Sequence, residues 1–209
     1  MIKHRSKGIT LIELLVALSI FVVIGGILTS IFISGWKTFD RESAQTNTQD
    51  QIKFVTSRIT QDSQEATRVI DTRTFDEEVY YSYPKSLILE LKSIDANKNP
   101  IEDLFDYEVF YVDPLNSKKL KVTIEADPTS SRRSETKTIS DIIESVDFEY
   151  FVIDGSSIQF PENGNGEFIL PVAQTIDTQR INVTATTAQE SFGKTIRTTL
   201  TGSAKIRNL

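Results

Sequence analysis

The longest apolar stretch of the chain runs from Ile9 to Ile33 and contains one ionisable side chain, Glu13. A helix over that range spans roughly 37 Å, more than the ~30 Å hydrocarbon core of a bilayer. Lys3, Arg5 and Lys7 precede the stretch and Trp36 follows it. The positive-inside bias then places the amino terminus in the cytoplasm and everything after Ile33 outside, with Trp36 at the outer interface. A charge costs about 2.5–3.5 kcal/mol at the centre of such a segment and less near its ends. Glu13 therefore needs a reason to be there.

Three readings compete. A secretory signal peptide has an apolar region of about 7–15 residues followed by small residues at a cleavage site; this run is longer, and "TSIFISGW" is a poor cleavage site. A plain signal anchor accounts for Glu13 as half of a capping box with Thr10, since a carboxylate in the first turn also meets the positive end of the helix dipole. That reading leaves unexplained the short basic leader ending in glycine. A third reading takes the whole junction, Lys7, Gly8, Ile9, Thr10, Leu11, Ile12 and Glu13, as one motif.

"KGITLIELLVAL" resembles the leader junction of type IV prepilins and pseudopilins, in which a basic leader ends in glycine and glutamate is fifth in the mature chain. Ile9 stands where phenylalanine is commonest, and no proline lies between Ile9 and Ile33, where many major pilins carry one. Gly25 and Gly26 are the evident weak points of this helix. The resemblance implies cleavage between Gly8 and Ile9 by a membrane prepilin peptidase and N-methylation of Ile9. Gly8 suits an extended, unobstructed pass through a protease cleft. It also implies a role for Glu13 in assembly. In a filament core the headgroup layer is out of reach, and the amine of Ile9 on a neighbouring subunit becomes the natural partner. An opposite charge at ~4 Å returns roughly 4 kcal/mol at an effective dielectric of 20, which favours the docked register over displaced ones.

Beyond Trp36 the sequence stays helix-like but turns polar. Ile52, Val55, Ile59, Ala66 and Val69 form one amphipathic stripe, and no glycine or proline interrupts residues 36–70. One helix is expected from about Ile9 to about Ala66, its second half packed on a globular domain. From Phe75 onward short β-prone runs alternate with turn chemistry: "EVYYSY", "SLILELKS", "YEVFYVD", "KLKVTIEA", "VDFEYFVI", "RINVTATTA" and "TIRTTLTGSAKI". The expected fold class is α+β and pilin-like: a long N-terminal helix, membrane-spanning in its first half, packed on a mainly antiparallel β-sheet domain. The expected divisions are a leader at 1–8, a transmembrane and filament-core helix at 9–35, its amphipathic continuation at 36–70, and an extracytoplasmic β-rich domain at 71–209. "QDQIKFVTSRITQDSQEA", "VDFEYFVIDGS" and the closing "KIRNL" look like minor pilins of the PilW type and J-type pseudopilins of type II secretion.

The residue inventory argues against an enzyme. There are no cysteines, and the single histidine, His4, falls in the expected leader. The mature chain then lacks the usual general base, thiolate nucleophiles and most zinc ligands. The adjacent carboxylates Glu77–Glu78 and Glu102–Asp103 read as solvated surface charge among 29 acidic residues. Asp95, Asn97 and Asn99 have calcium-loop spacing, but Pro100 stands where the loop needs glycine and Asp106 where it needs glutamate, so an Asx-rich turn is expected. Arg132 and Arg133 read as solvated charge. No catalytic residue, metal site or cofactor is expected. The net charge of −6, about −9 without Lys3, Arg5 and Lys7, suits nucleic-acid phosphates poorly.

The expected function is that of a structural subunit, a minor type IV pilin or pseudopilin assembled into, or initiating, a filament. Type II secretion or competence pseudopilins are the alternatives. So is a tip adhesin or ligand-binding module using loops at 95–106, 127–135 and 161–167. The resemblance implies four partners: prepilin peptidase, other pilin or pseudopilin subunits, a membrane assembly platform and membrane lipid. It implies residence in the cytoplasmic membrane before incorporation into a cell-surface or periplasmic filament.

Overall fold

The computed structural model describes residues 10–75, 77–163, 168 and 175–206. The chain divides into two compact units, residues 1–43 and 44–209. Helix α1 (Leu11–Glu65) is continuous over 55 residues, and Gly25 and Gly26 do not break it. In the first unit its apolar side chains are exposed throughout, from Leu11 at 80% to Ile33 at 48%. Ser19 and Thr29 donate their hydroxyls to the carbonyls of Leu15 and Gly25, both at 2.8 Å. Such back-bonding leaves no free hydroxyl proton to desolvate at those positions in hydrocarbon.

Among the described residues of the second unit, ten strands follow the end of α1. They are β1 (Arg68–Val69), β2 (Thr72–Phe75), β3 (Glu78–Tyr81), β4 (Ser86–Ile94), β5 (Pro100–Val112), β6 (Leu120–Glu125), β7 (Glu135–Ser140), β8 (Ile143–Phe151), β9 (Arg180–Ser191) and β10 (Lys194–Lys205). A five-stranded sheet has the order β1-β4-β5-β6-β7, a three-stranded sheet the order β10-β9-β8, and β2 pairs with β3. Every described pairing of named strands is antiparallel. The fold is thus α+β and pilin-like, as the residues led us to expect.

The helical stripe does its packing here. Ile52, Val55 and Ile59 are buried in one core with Leu87, Leu89 and Leu91 of β4, Phe110 of β5, Phe148 and Tyr150 of β8 and Val183 of β9. Each fully buried residue of this size contributes about 1.5–3 kcal/mol relative to exposure. Tyr150 is buried with its hydroxyl donating to the Ser86 carbonyl at 2.6 Å, so its polar tip is satisfied. On the far face of the larger sheet Phe75, Ile88 and Val109 form a second cluster with Tyr80, Tyr107 and Tyr111. Strand β4 is therefore buried on both faces, which explains the near-continuous apolar run "LILEL".

Three local readings change. The stripe residue Val69 lies in β1, not in the helix: α1 ends at Glu65 because the Thr67 N–H turns to the Glu90 carbonyl at 2.7 Å and starts sheet pairing. Strand β5 begins at Pro100, so the loop expected over 95–106 is confined to the turn before it. Strand β7, "ETKTIS", goes unrecognised in the sequence because it is polar; it lies at a sheet edge, where only Ser140 is buried.

Candidate functional site

Thr10 and Glu13 open α1 as a closed capping box. The Thr10 N–H and hydroxyl both donate to Glu13 Oε2, at 2.8 and 2.9 Å. The Glu13 N–H donates back to Thr10 Oγ1 at 3.3 Å, and the first helical bond runs from the Leu14 N–H to the Thr10 carbonyl at 3.1 Å. Both donors fall on Oε2, which among the described residues leaves Oε1 open to a further donor. Lys3, Arg5, Lys7, Gly8 and Ile9 lie outside the described residues.

Beyond the cap, the segment from Leu14 to Ile33 carries no ionisable side chain, and α1 is long and apolar enough to cross a membrane. A Cβ added at Gly25 or Gly26 would meet nothing within 4 Å. Packing inside the chain therefore does not require glycine at either position; small residues on a membrane helix do let a second backbone approach closely. Trp36 is exposed beside Phe32, ring centroids 6.2 Å apart, where an amphipathic ring suits an interface.

None of the other candidate groups assembles a reactive cleft. Asp95 Oδ1 accepts the N–H groups of Asn97 and Asn99, both at 2.8 Å, which is an Asx turn. Asp106, the twelfth position of the calcium-loop pattern, is elsewhere and engaged. Glu78 accepts the Tyr80 hydroxyl at 2.6 Å, and Glu102 and Asp103 are exposed along β5. Among the described residues no group of three or more His, Cys, Asp or Glu side chains could hold a metal ion. Of the loop at 161–167, residues 164–167 lie outside the described residues.

Several buried charged groups escape the sequence reading, and two clusters of them stand out. Arg132 is not solvated: its Nη1 donates to Asp106 Oδ2 at 2.8 Å and to the Lys92 carbonyl at 2.6 Å. Asp106 is fully buried and also accepts from Ser93, Ser130 and the Asp127 N–H at 2.7–2.9 Å. Burial raises its carboxyl, but these hydrogen bonds, Arg132 first, outweigh it and hold the group below the usual carboxylate range. The 127–135 loop is thereby pinned to the sheet.

Under the last turns of α1 sits a carboxylate pair, Asp62 and Glu108, with one cation, Arg58. Arg58 Nε is 2.6 Å from Asp62 Oδ2, while its Nη2 is 3.7 Å from Glu108 Oε1. Burial, then the adjacent Asp62 carboxylate, push the Glu108 carboxyl up to about 8, with Arg58 offsetting part of the rise. Burial also raises Asp62. The shorter contact to Arg58 keeps the charge on Asp62 and the proton on Glu108. A signal was present in the sequence: Asp62 occupies the stripe position three residues after Ile59, where an apolar side chain belongs.

Comparison with known proteins bears on the amino-terminal segment. Residues 3–29 match the family described as the prokaryotic N-terminal methylation motif. No curated protein matches the chain. The matched segment contains the basic residues, Gly8, Ile9, the capping box and most of the exposed apolar helix, and it supports a type IV pilin-like precursor.

Proposed function

We propose that this chain is a minor type IV pilin or pseudopilin, cut between Gly8 and Ile9 by prepilin peptidase, methylated at Ile9, and built into or initiating a helical filament. The observation that carries this reading is the methylation motif at residues 3–29, whose described part lies on a helix with apolar side chains from Leu11 to Ile33 left uncovered among the described residues. Exposing that much apolar surface to water is untenable, so lipid must cover it before assembly and neighbouring helices after. The basic leader Lys3, Arg5 and Lys7 keeps the amino terminus in the cytoplasm, where the peptidase acts, and sends the β-rich domain outside. The divisions at 1–8, 9–35, 36–70 and 71–209 follow from this topology.

Glu13 has two compatible duties. In the single subunit it caps its own helix through Oε2; in the filament Oε1 receives the Ile9 amine of a neighbour and sets register. Repetition of one heterologous contact then generates an open filament. Intact mass spectrometry of the membrane-extracted chain tests the reading: the product should lack Met1–Gly8 and carry one added methyl group. An uncut start, or a terminus downstream of Ile33, would overturn it. Glu13→Ala should still be cleaved but should enter filaments poorly; undiminished incorporation would remove the register role.

A further inference from the structure

Among the described residues the three-stranded sheet has one covered edge and one open edge. Along β8 the backbone groups facing away from β9 find partners: the Ile143 N–H donates to the Lys118 carbonyl at 2.9 Å, the Phe148 N–H to the Pro84 carbonyl at 2.8 Å, and the Tyr150 carbonyl accepts from Ile158 at 2.7 Å. The opposite edge, β10, is different. Its 12 residues pair with β9 without a register shift, from Lys194↔Ser191 to Lys205↔Arg180. The two-residue turn at Phe192 and Gly193, with φ 45° and 69°, is of the type that makes Ser191 and Lys194 a hydrogen-bonded pair. Alternation then turns the backbone groups of even-numbered residues toward β9 and those of Thr195, Arg197, Thr199, Thr201 and Ser203 outward. The Ile206 N–H, bonded to the Gln179 carbonyl at 2.8 Å, continues the same alternation. The outward groups have no backbone partner among the described residues.

Natural edges are protected by proline, bulges, short length or charge. Strand β10 has no proline, no bulge and no shortening; five of its 12 residues are threonine or serine, and its charges are Lys194, Arg197 and Lys205. A groove of about 530 Å³ runs beside it, lined by Lys53, Ser57, Thr60, Gln61 and Gln64 of α1 and by Leu200 of β10. The strand carries Lys194 and Lys205 and no acidic residue, its Arg197 being held by Glu144 at 2.7 Å, and the groove adds Lys53, in a chain whose net charge is −6. We propose that β10 is a docking edge for an extended, acidic segment of another polypeptide, which adds as a fourth antiparallel strand. Its backbone would bond the outward groups of Thr195 to Ser203, alternate side chains would enter the groove, and its carboxylates would meet Lys53, Lys194 and Lys205. Main-chain bonds supply affinity in this mode and the groove supplies selectivity. The inference is independent of amino-terminal processing.

The test uses the full chain in detergent micelles and a fluorescent peptide of alternating threonine and glutamate, matched to β10 in length, read by anisotropy. The acidic peptide should bind, and the same peptide with lysine for glutamate should not. Thr199→Pro removes an outward N–H without touching the β9 ladder and should weaken binding about tenfold, while Thr199→Ala binds like the parent. Should Thr199→Pro alter the unfolding transition, Lys53→Glu provides the second arm and should also weaken the acidic peptide about tenfold. Absence of binding by the acidic peptide, equal binding of the lysine peptide, or unchanged affinity in a folded Thr199→Pro or Lys53→Glu chain would overturn the proposal.

Discussion

Gly202 sits where β10 passes under α1. A Cβ there would lie 2.5 Å from Thr56 Cγ2 and 2.7 Å from Thr60 Oγ1. The helix can rest on this strand only because the side chain is missing. Gly202→Val should therefore destabilise the chain by about 1–3 kcal/mol, the usual cost of overpacking, measured as a lowered urea midpoint with unchanged slope. Arg132 is a second residue whose importance comes from one neighbour. Arg132→Ala leaves the buried Asp106 carboxylate without its cation, a loss of about 3 kcal/mol at neutral pH. The penalty should shrink in acid, because protonating Asp106 removes the stranded charge. A deficit independent of pH would mean that Arg132 acts by packing alone.

Helix α1 changes its surface along its length, apolar and exposed as far as Ile33 and amphipathic beyond, and each stretch carries a different device. The Thr10–Glu13 box closes its first turn, hydroxyl back-bonding at Ser19 and Thr29 suits the apolar part, and the Asp62–Glu108 pair ties its last turns to β5. That tie is pH-dependent. Glu108 has a folded value of about 8 against an ordinary 4.5, so the folded state holds a proton that the unfolded state releases. Its contribution is fully present below about 4.5 and is lost as pH rises through about 8. Urea melts of the parent and of Glu108→Gln should therefore diverge across that window: the variant keeps its stability as the parent loses a few kcal/mol. Parallel pH profiles would show that Glu108 ionises freely in the folded chain.

At the scale of the whole molecule, the chain combines a helix segment that water cannot tolerate with a domain that has its own core. The chain should stay with membranes through high salt and alkaline washing and leave only with detergent, checked by fractionation and immunoblotting. Release by salt alone would show that the segment from Leu11 to Ile33 is not embedded. Much of this plan was legible in the residues, because burial periodicity and apolar length are local properties: the helix, the antiparallel strands from β3 to β10 other than β7, and the Thr10–Glu13 cap. Other features were not legible. "ETKTIS" lacks an apolar face because an edge strand needs little burial. Arg132 looks solvated because its partner, Asp106, is 26 positions away. Asp62 interrupts an apolar stripe for a reason that lies on β5.

Sequence by itself determined that the first part of α1 seeks an apolar surrounding, that the chain carries a methylation motif, and that it has no cysteine and a single histidine, His4; these depend on residue identity and short-range spacing. Only the tertiary structure decided which carboxylates are buried, which arginine is bound, why residue 202 must be glycine, and which sheet edge remains open. Those outcomes depend on contacts between distant segments, and the energy of a charge or an unpaired N–H is set by what the fold brings beside it.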